Sequence, residues 1–296
     1  MTTRAKTGTS PKGRDVLELP EVEVLRKDLE KEIVGKRVKD VDVRTPAVVR
    51  PLHRNRPSFV KALEGRKVEA ARRRGSVIFL DLDGDQTWIV DPGEGGSLHR
   101  ETATEEPGDD THLTVSFTIG GALHLSEVGE EPTLKTGVVP TEEALEAAGI
   151  SPDALDLLDD NPTWMEFGRF LADANRPLKM LLIDPTYIVG IGPVYSDEIL
   201  WEAGLRHDHP SATLSTQEIR RLYRATQEII VAAMKAAGTS LDDVEVELLV
   251  DEEGESAQHL KVFGRDRKPC PRCRRPIVRT RLKKGIYTYH CEQCMI

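Results

Sequence analysis

Two cysteine pairs, Cys270-Pro-Arg-Cys273 and Cys291-Glu-Gln-Cys294, restrict this chain more than any other feature. The seventeen residues at positions 274–290 let four thiolates converge on one tetrahedral ion, and all four cysteines of the chain are used. Two structural disulfides are the alternative, but thiols stay reduced in a cytoplasmic chain, so the reading is one closed, structural Zn2+ site. Tyr287-Thr288-Tyr289 reads as the second strand of a hairpin that brings the pairs together. His290 is a further donor, which a complete set of four thiolates does not need.

The rest of the chain must bury a core. With 296 residues there is room for two ordinary domains, and 39% hydrophobic with 31% charged residues describes a soluble globular protein. No apolar run approaches the roughly 18 residues of a membrane span, and Met1 to Asp15 lacks the apolar stretch of a signal peptide. The expectation is a cytoplasmic monomer without a membrane partner. The formal charge of -9 hides an asymmetry: Lys261 to Lys284 holds eleven Lys and Arg against Asp266 alone, a block fit to meet a polyanion. Glu101 to Asp160 holds fifteen acids against Lys135, and would repel phosphate.

Residues 1–15 are polar and aperiodic, and read as a disordered tail. Val38 to Val43 and Val68 to Ala71 read as short strands, while Val77 to Leu82 and Trp88 to Val90 flank Asp83-Gly84-Asp85 as a hairpin. His112 to Phe117 and Ala122 to Leu125 flank Gly120-Gly121 as another. So many short strands predict an antiparallel β-sandwich over 16–136 with a helix at its edge. From Thr141 the pattern turns helical and acidic, and Ser215 to Ala237 is a helix with Ser215 and Glu218 as a capping box. The fold class is therefore α+β: the sandwich, a helical domain over 141–260 and a zinc module over 261–296.

Two further stretches carry chemistry. In Leu17-Glu18-Leu19-Pro20-Glu21-Val22-Glu23, Pro20 suits a first helical turn, and Val22, Leu25, Leu29 and Ile33 continue at helical spacing. This places Glu18 and Glu21 at the helix mouth, where acids complement the dipole. In Ile188-Val189-Gly190-Ile191-Gly192-Pro193-Val194-Tyr195-Ser196-Asp197-Glu198, two glycines precede a helix, an arrangement that can aim backbone N–H groups at a phosphate. An ordinary interhelical turn is the plainer alternative.

Taken together, Glu18-Leu19-Pro20-Glu21-Val22-Glu23, the glycine turn with Tyr195-Ser196-Asp197-Glu198, and Val262-Phe263-Gly264-Arg265 leading into the zinc hairpin resemble the formamidopyrimidine-DNA glycosylase and endonuclease VIII family. The resemblance runs from about Val16 to the end. It implies a β-sandwich, a helix-two-turns-helix domain and a zinc finger, with duplex DNA between the domains. It also implies base excision through the amine of an N-terminal proline, which forms a Schiff base, with a neighbouring glutamate moving protons. Glu18 and Glu21 match the family glutamates, Gly190 and Gly192 the phosphate turn, Lys179 the lysine before it, and Arg272, Arg274, Lys283 and Lys284 lie in the DNA-facing zinc module.

The departures are specific. Leu17 stands at the proline position behind sixteen further residues, so its nitrogen is an amide. Ser76 stands for the hairpin lysine, and Asp91-Pro92-Gly93-Glu94 for the segment whose methionine fills the gap of the flipped base. Glu127-Val128-Gly129-Glu130-Glu131 stands for the arginine and phenylalanine wedge, Pro193 for a phosphate-binding asparagine and Ile286 for a phosphate-binding arginine. The acidic stretch Leu241 to Ala257 stands for the lesion-covering loop. The leading expectation is a protein that binds damaged DNA or other nucleic acid and has lost the lyase chemistry, located with the nucleoid if it binds DNA. One alternative is a monofunctional glycosylase in which Glu18 activates water. Another is a scaffold that meets a protein partner through the acidic segment 101–160.

Overall fold

The computed structural model describes residues 17–101, 107–128, 131–237, 259–283 and 285–296. The tail 1–15, the acidic stretch 241–257 and Lys284 lie outside the described residues. In chain order the elements are α1 (Leu19–Glu32), β1 (Val38–Val43), α2 (Arg56–Leu63), β2 (Val68–Arg74), β3 (Val77–Leu82), β4 (Gln86–Asp91), β5 (Gly96–Glu101), β6 (Thr111–Phe117), β7 (Ala122–Glu127) and β8 (Lys135–Pro140). There follow α3 (Ala144–Ala147), β9 (Leu155–Asp156), α4 (Trp164–Ala174), α5 (Leu178–Leu182), β10 (Ile188–Val189), α6 (Pro193–Ala203), α7 (Thr216–Ala236), β11 (Val278–Lys283) and β12 (Ile286–His290). Among the described residues no helix is long and apolar enough to cross a membrane.

Two antiparallel four-stranded sheets, ordered β1-β6-β7-β5 and β2-β3-β4-β8, form the sandwich. Ile78, Leu80, Trp88 and Val90 from one sheet meet Leu98, Leu113, Val115, Leu123 and Leu125 from the other in a single core. The alternate residues Val77, Phe79 and Ile89 face outward, where Ala144 of α3 covers them. This double burial explains why β3 reads as an unbroken apolar run. Strand β8 pairs with β4 from Gln86↔Pro140 to Asp91↔Lys135, so the last strand of the sheet ends just before Thr141.

Helix α1 flanks the sandwich and packs into two cores. Val22, Leu25 and Leu29 enter the sandwich core, while Leu19 enters a second core built by α4 to α7. That second core contains Phe167, Leu182, Tyr195, Leu200 and Leu222, and continues without a break into Cys270, Ile277, Cys291 and Met295 of the zinc module. The β11–β12 hairpin therefore shares its apolar interior with the helices. Helix α7 begins as expected, with Ser215 Oγ accepting from the Glu218 N–H and Glu218 returning to the Ser215 N–H. Its far end reaches the sandwich through Met234 and Ala237.

A charged node joins the two cores. Arg73, whose side chain is 1% exposed, bonds Glu23 of α1 at 2.9 Å, Asp156 of β9 at 2.6 Å and Asp159 at 3.0 Å, and Arg74 pairs with Asp160 at 2.6 Å. Burial alone would push Asp156 up, but Arg73 and the N–H groups of Asp159 and Gly75 hold its carboxyl below the usual range.

Candidate nucleic-acid interface and metal site

Three backbone segments meet without side chains between them. The N–H of Leu19 donates to the Gly190 carbonyl at 2.7 Å, and a Cβ on Gly190 would lie 2.8 Å from both Leu19 Cβ and Gly75 Cα. Gly190 and Gly75 both have positive φ, +83° and +59°, which glycine adopts without strain. The first turn of α1, the β2–β3 turn and the turn ahead of α6 are thereby fixed against one another.

The glycine turn does aim N–H groups at an anion, but that anion belongs to the protein. Glu18, 2% exposed, accepts from the N–H of Gly192 at 2.7 Å, Val194 at 2.8 Å and Tyr195 at 3.2 Å. Its carboxylate thus occupies the positive end of α6, where a phosphate was expected. Gly192 is required because a Cβ there would stand 2.6 Å from the Glu18 carboxylate. Glu21 is fixed beside it, accepting the Tyr195 hydroxyl on one oxygen and the Glu18 N–H at 3.2 Å on the other.

Burial dominates the electrostatics of this pair. It pushes Glu18 up to about 7 against the opposing N–H bonds from Val194, Gly192 and Tyr195. Burial likewise pushes Glu21 up to about 8, opposed by the Tyr195 hydroxyl and reinforced by the neighbouring Glu18. Burial and the two glutamates raise Tyr195 well above its ordinary value, so it stays a donor. Leu17, at the position the resemblance gives to a nucleophile, is 3% exposed in the sandwich core. Ser76 is half-buried beside Gly75.

One expected DNA contact, Lys179, faces inward. Lys179 is fully buried, and its Nζ donates to Asp197 at 2.7 Å, Ser196 Oγ at 2.7 Å and the Pro193 carbonyl at 2.8 Å. It is an internal counter-ion, because burying Asp197 requires one. Asp197 also accepts from Thr288 Oγ1 at 2.6 Å and the Tyr289 N–H at 2.8 Å, so it docks β12 onto α6. Glu198 accepts three N–H bonds, from Lys261, Val262 and Phe263, and so fixes the segment that enters the zinc module. Tyr195, Asp197 and Glu198 were legible as a motif, while their roles appear only when partners distant in sequence, Glu21, Thr288 and residues 261–263, come into view.

Arg272 is likewise engaged within the protein. Its guanidinium lies 3.9 Å over the Trp201 ring, donates to the Trp201 and Glu202 carbonyls, and pairs with Glu202 at 3.0 Å. These contacts cap the C-terminus of α6, where a cation is favoured. Arg274 is exposed at φ +67°, its N–H bonding the Cys270 carbonyl at 2.9 Å, and Lys283 is exposed near the hairpin tip. Along β11 exposure alternates, with Arg279, Arg281 and Lys283 on the solvent side. Arg279 and Arg281 were not singled out from the basic block, although the period-two pattern with Val278, Thr280 and Leu282 marks them.

The acidic segment is also partly internal. Glu127 is buried and accepts from the Thr133 N–H and hydroxyl and the Leu134 N–H at 2.7 to 2.8 Å, so it is a loop anchor rather than a charge turned toward DNA. Val128, beside it, is 84% exposed. Glu94 is exposed on a turn closed by the Gly93 N–H to Asp91 and by the Glu94 N–H to Thr133 Oγ1.

The four cysteines converge as their spacing requires. Their sulfurs lie within 4.8 Å of one another, Cys273 to Cys291 at 3.4 Å and Cys270 to Cys294 at 3.9 Å, and none is in a disulfide. Tetrahedral Zn–S bonds of about 2.3 Å place sulfurs roughly 3.8 Å apart, so the set fits such an ion. His290 is held instead by Thr280 Oγ1 at 2.9 Å.

Comparison with known proteins agrees with this architecture. Residues 16–128 match the formamidopyrimidine-DNA glycosylase N-terminal domain and residues 150–245 the formamidopyrimidine-DNA glycosylase H2TH domain. A formamidopyrimidine-DNA glycosylase of Desulfitobacterium hafniense is 30% identical over 279 residues, covering 94% of this chain and 99% of the relative. One from Acidothermus cellulolyticus is 34% identical over 284 residues, covering 94% and 96%. The fold also matches Lactococcus lactis Fpg solved with abasic-site DNA, with a TM-score of 0.79, 24% identity and coverage of 94% of this chain and 99% of that one. Domain order, length and the two matched domains lead to one assignment: the chain belongs to the formamidopyrimidine-DNA glycosylase family.

Proposed function

We propose that the protein binds damaged duplex DNA through its zinc hairpin, and does not perform the strand cleavage through a Schiff base that the family resemblance implies. One observation carries this reading. Leu17 stands where that chemistry needs a terminal amine, its nitrogen is tied into a peptide, and its side chain is packed in the sandwich core. An amide nitrogen is delocalised and does not attack a sugar carbon. The Lactococcus lactis relatives solved with abasic-site DNA support DNA as the partner, as does the exposed row Arg279, Arg281 and Lys283. A single structural zinc held by Cys270, Cys273, Cys291 and Cys294 would cross-link the hairpin and supply no reactive group.

The second reading, a monofunctional glycosylase, is favoured by Glu18 titrating at about 7, a value suited to a base that activates water. Against it, both Glu18 oxygens already accept N–H bonds from α6. Borohydride trapping on duplexes carrying an oxidised purine, an oxidised pyrimidine or an abasic site separates the readings. The expected result is binding with neither adduct nor base release. A covalent adduct overturns the proposal, and adduct-free base release that disappears in Glu18→Gln establishes the water mechanism. Absence of duplex binding at low salt leaves the protein scaffold as the function.

A further inference from the structure

We infer that the outer face of the β11–β12 hairpin is a stacking platform for an unpaired base, so that the DNA it takes carries a single-stranded stretch. The inference rests on the hairpin being the DNA contact proposed above, and adds the kind of strand. The register pairs Arg279 with Tyr289 and Arg281 with Tyr287, and directly opposite residues of an antiparallel pair point to the same side. Two arginines and two tyrosines therefore share one face. The opposite face is spent inside the protein, where Thr288 is fully buried and donates to Asp197 of α6.

On the outer face the Arg279 guanidinium is stacked rather than paired. Its carbon lies 3.9 Å over the centre of the Tyr287 ring and 5.8 Å from that of Tyr289, which Phe263 buttresses in a T-shaped contact 5.0 Å between centroids. Phe263 and Tyr289 border the second core, whereas Tyr287, among the described residues, joins no core. Among the described residues no carboxylate pairs with the Arg279 guanidinium; its backbone N–H is what bonds Asp266, at 3.1 Å. Arg272 provides the internal contrast: it too lies 3.9 Å over a ring, that of Trp201, but its guanidinium is taken up by two carbonyls and the Glu202 carboxylate. Cations alone would serve for phosphates, which every DNA presents. A tyrosine beneath an exposed guanidinium adds a flat, polarisable surface, and the group that matches it is the face of a base. In a duplex that face is covered by the neighbouring base pairs, so an unpaired base is the one that presents it.

The test is fluorescence anisotropy on the full zinc-loaded chain with probes of equal length, about twelve nucleotides: a thymidine strand, the same backbone without bases, and a duplex. The thymidine strand should bind about tenfold tighter than the baseless one. Tyr287→Thr keeps a strand-forming residue and removes the ring. It should lose about tenfold on the thymidine strand with the salt dependence unchanged, because no charge is removed, and less than about twofold on the duplex. Tyr287→Phe, which keeps the ring, should bind the thymidine strand as the wild type does. Equal affinity for strands with and without bases overturns the inference, as does a Tyr287→Thr loss that is equal on strand and duplex, which would make the ring a support of the hairpin. If Tyr287→Thr does not fold, the wild-type comparison of the two strands decides. Duplex binding without a preference for bases refutes this inference alone, whereas failure to bind any probe refutes the DNA contact first and this inference with it.

Discussion

Glu18 and Glu21, which the sequence marks as candidate catalytic residues, are also tied into the fold by hydrogen bonds to the first turn of α6. Each carboxylate is buried, and each titrates well above the ordinary 4.5, at about 7 and about 8. Because both values are raised on folding, their contribution is most favourable below about pH 4.5 and is lost as pH climbs through 7 to 8. For Glu18 the loss is on the order of 3 kcal/mol, at 1.36 kcal/mol per unit. Urea unfolding between about pH 5 and pH 8.5 should therefore show stability falling with pH, and Glu21→Gln should flatten the decline. A pH-independent midpoint in the wild type would refute the burial argument. At this scale the cysteines were fully legible, since their spacing alone fixes their convergence. Lys179 and Arg272 were not, because a positive charge in a sequence does not say whether it will face a phosphate, a buried Asp197 or a helix end.

At the scale of elements, α6 is held along its whole length by partners from three parts of the chain. Gly192→Ala tests the first of these contacts, since the added Cβ would stand 2.6 Å from the Glu18 carboxylate. We expect a loss of about 1–3 kcal/mol, and a much smaller loss when Glu18→Ala is already present, giving a coupling of at least about 0.5 kcal/mol in a thermal or urea double-mutant cycle. Additive losses would mean that the clash lies elsewhere. The two hairpins β3–β4 and β6–β7 and helix α7 were readable because their turn and capping signals are local. Strands β5 and β8 were not, since Gly96-Ser97 and Lys135-Thr136-Gly137 have weak strand preference and are ordered by cross-strand partners. The two-residue strands β9 and β10 pair in parallel from Leu155↔Ile188, a contact with no local signature.

On the scale of the whole molecule, charge is sorted between an inward set and an outward set. Asp156 and Glu127 are spent inside the fold, whereas Arg279, Arg281 and Lys283 line one exposed strand face. If DNA lies along that face, each of these cations changed to alanine should reduce the slope of log affinity against log salt by about 0.9, and the triple variant by about 2.7. Arg272→Ala should leave the slope nearly unchanged, because that guanidinium is committed to α6. Anisotropy titrations over a salt series check both, and an unchanged slope in the triple variant would place the DNA elsewhere. The overall division into sandwich, helices and zinc module was legible from pattern changes, but the node at Arg73, which ties residues 50 and 83 positions away, was not. The α6 run Tyr195 to Glu198 has a consequence for lineages. Its side chains are engaged by Glu21, Lys179, the β12 hairpin and the 261–263 segment, so folding by itself is enough to hold those letters in place. A descendant that abandoned the ancestral reaction would still be obliged to spell them, and the motif therefore records ancestry while remaining silent about turnover.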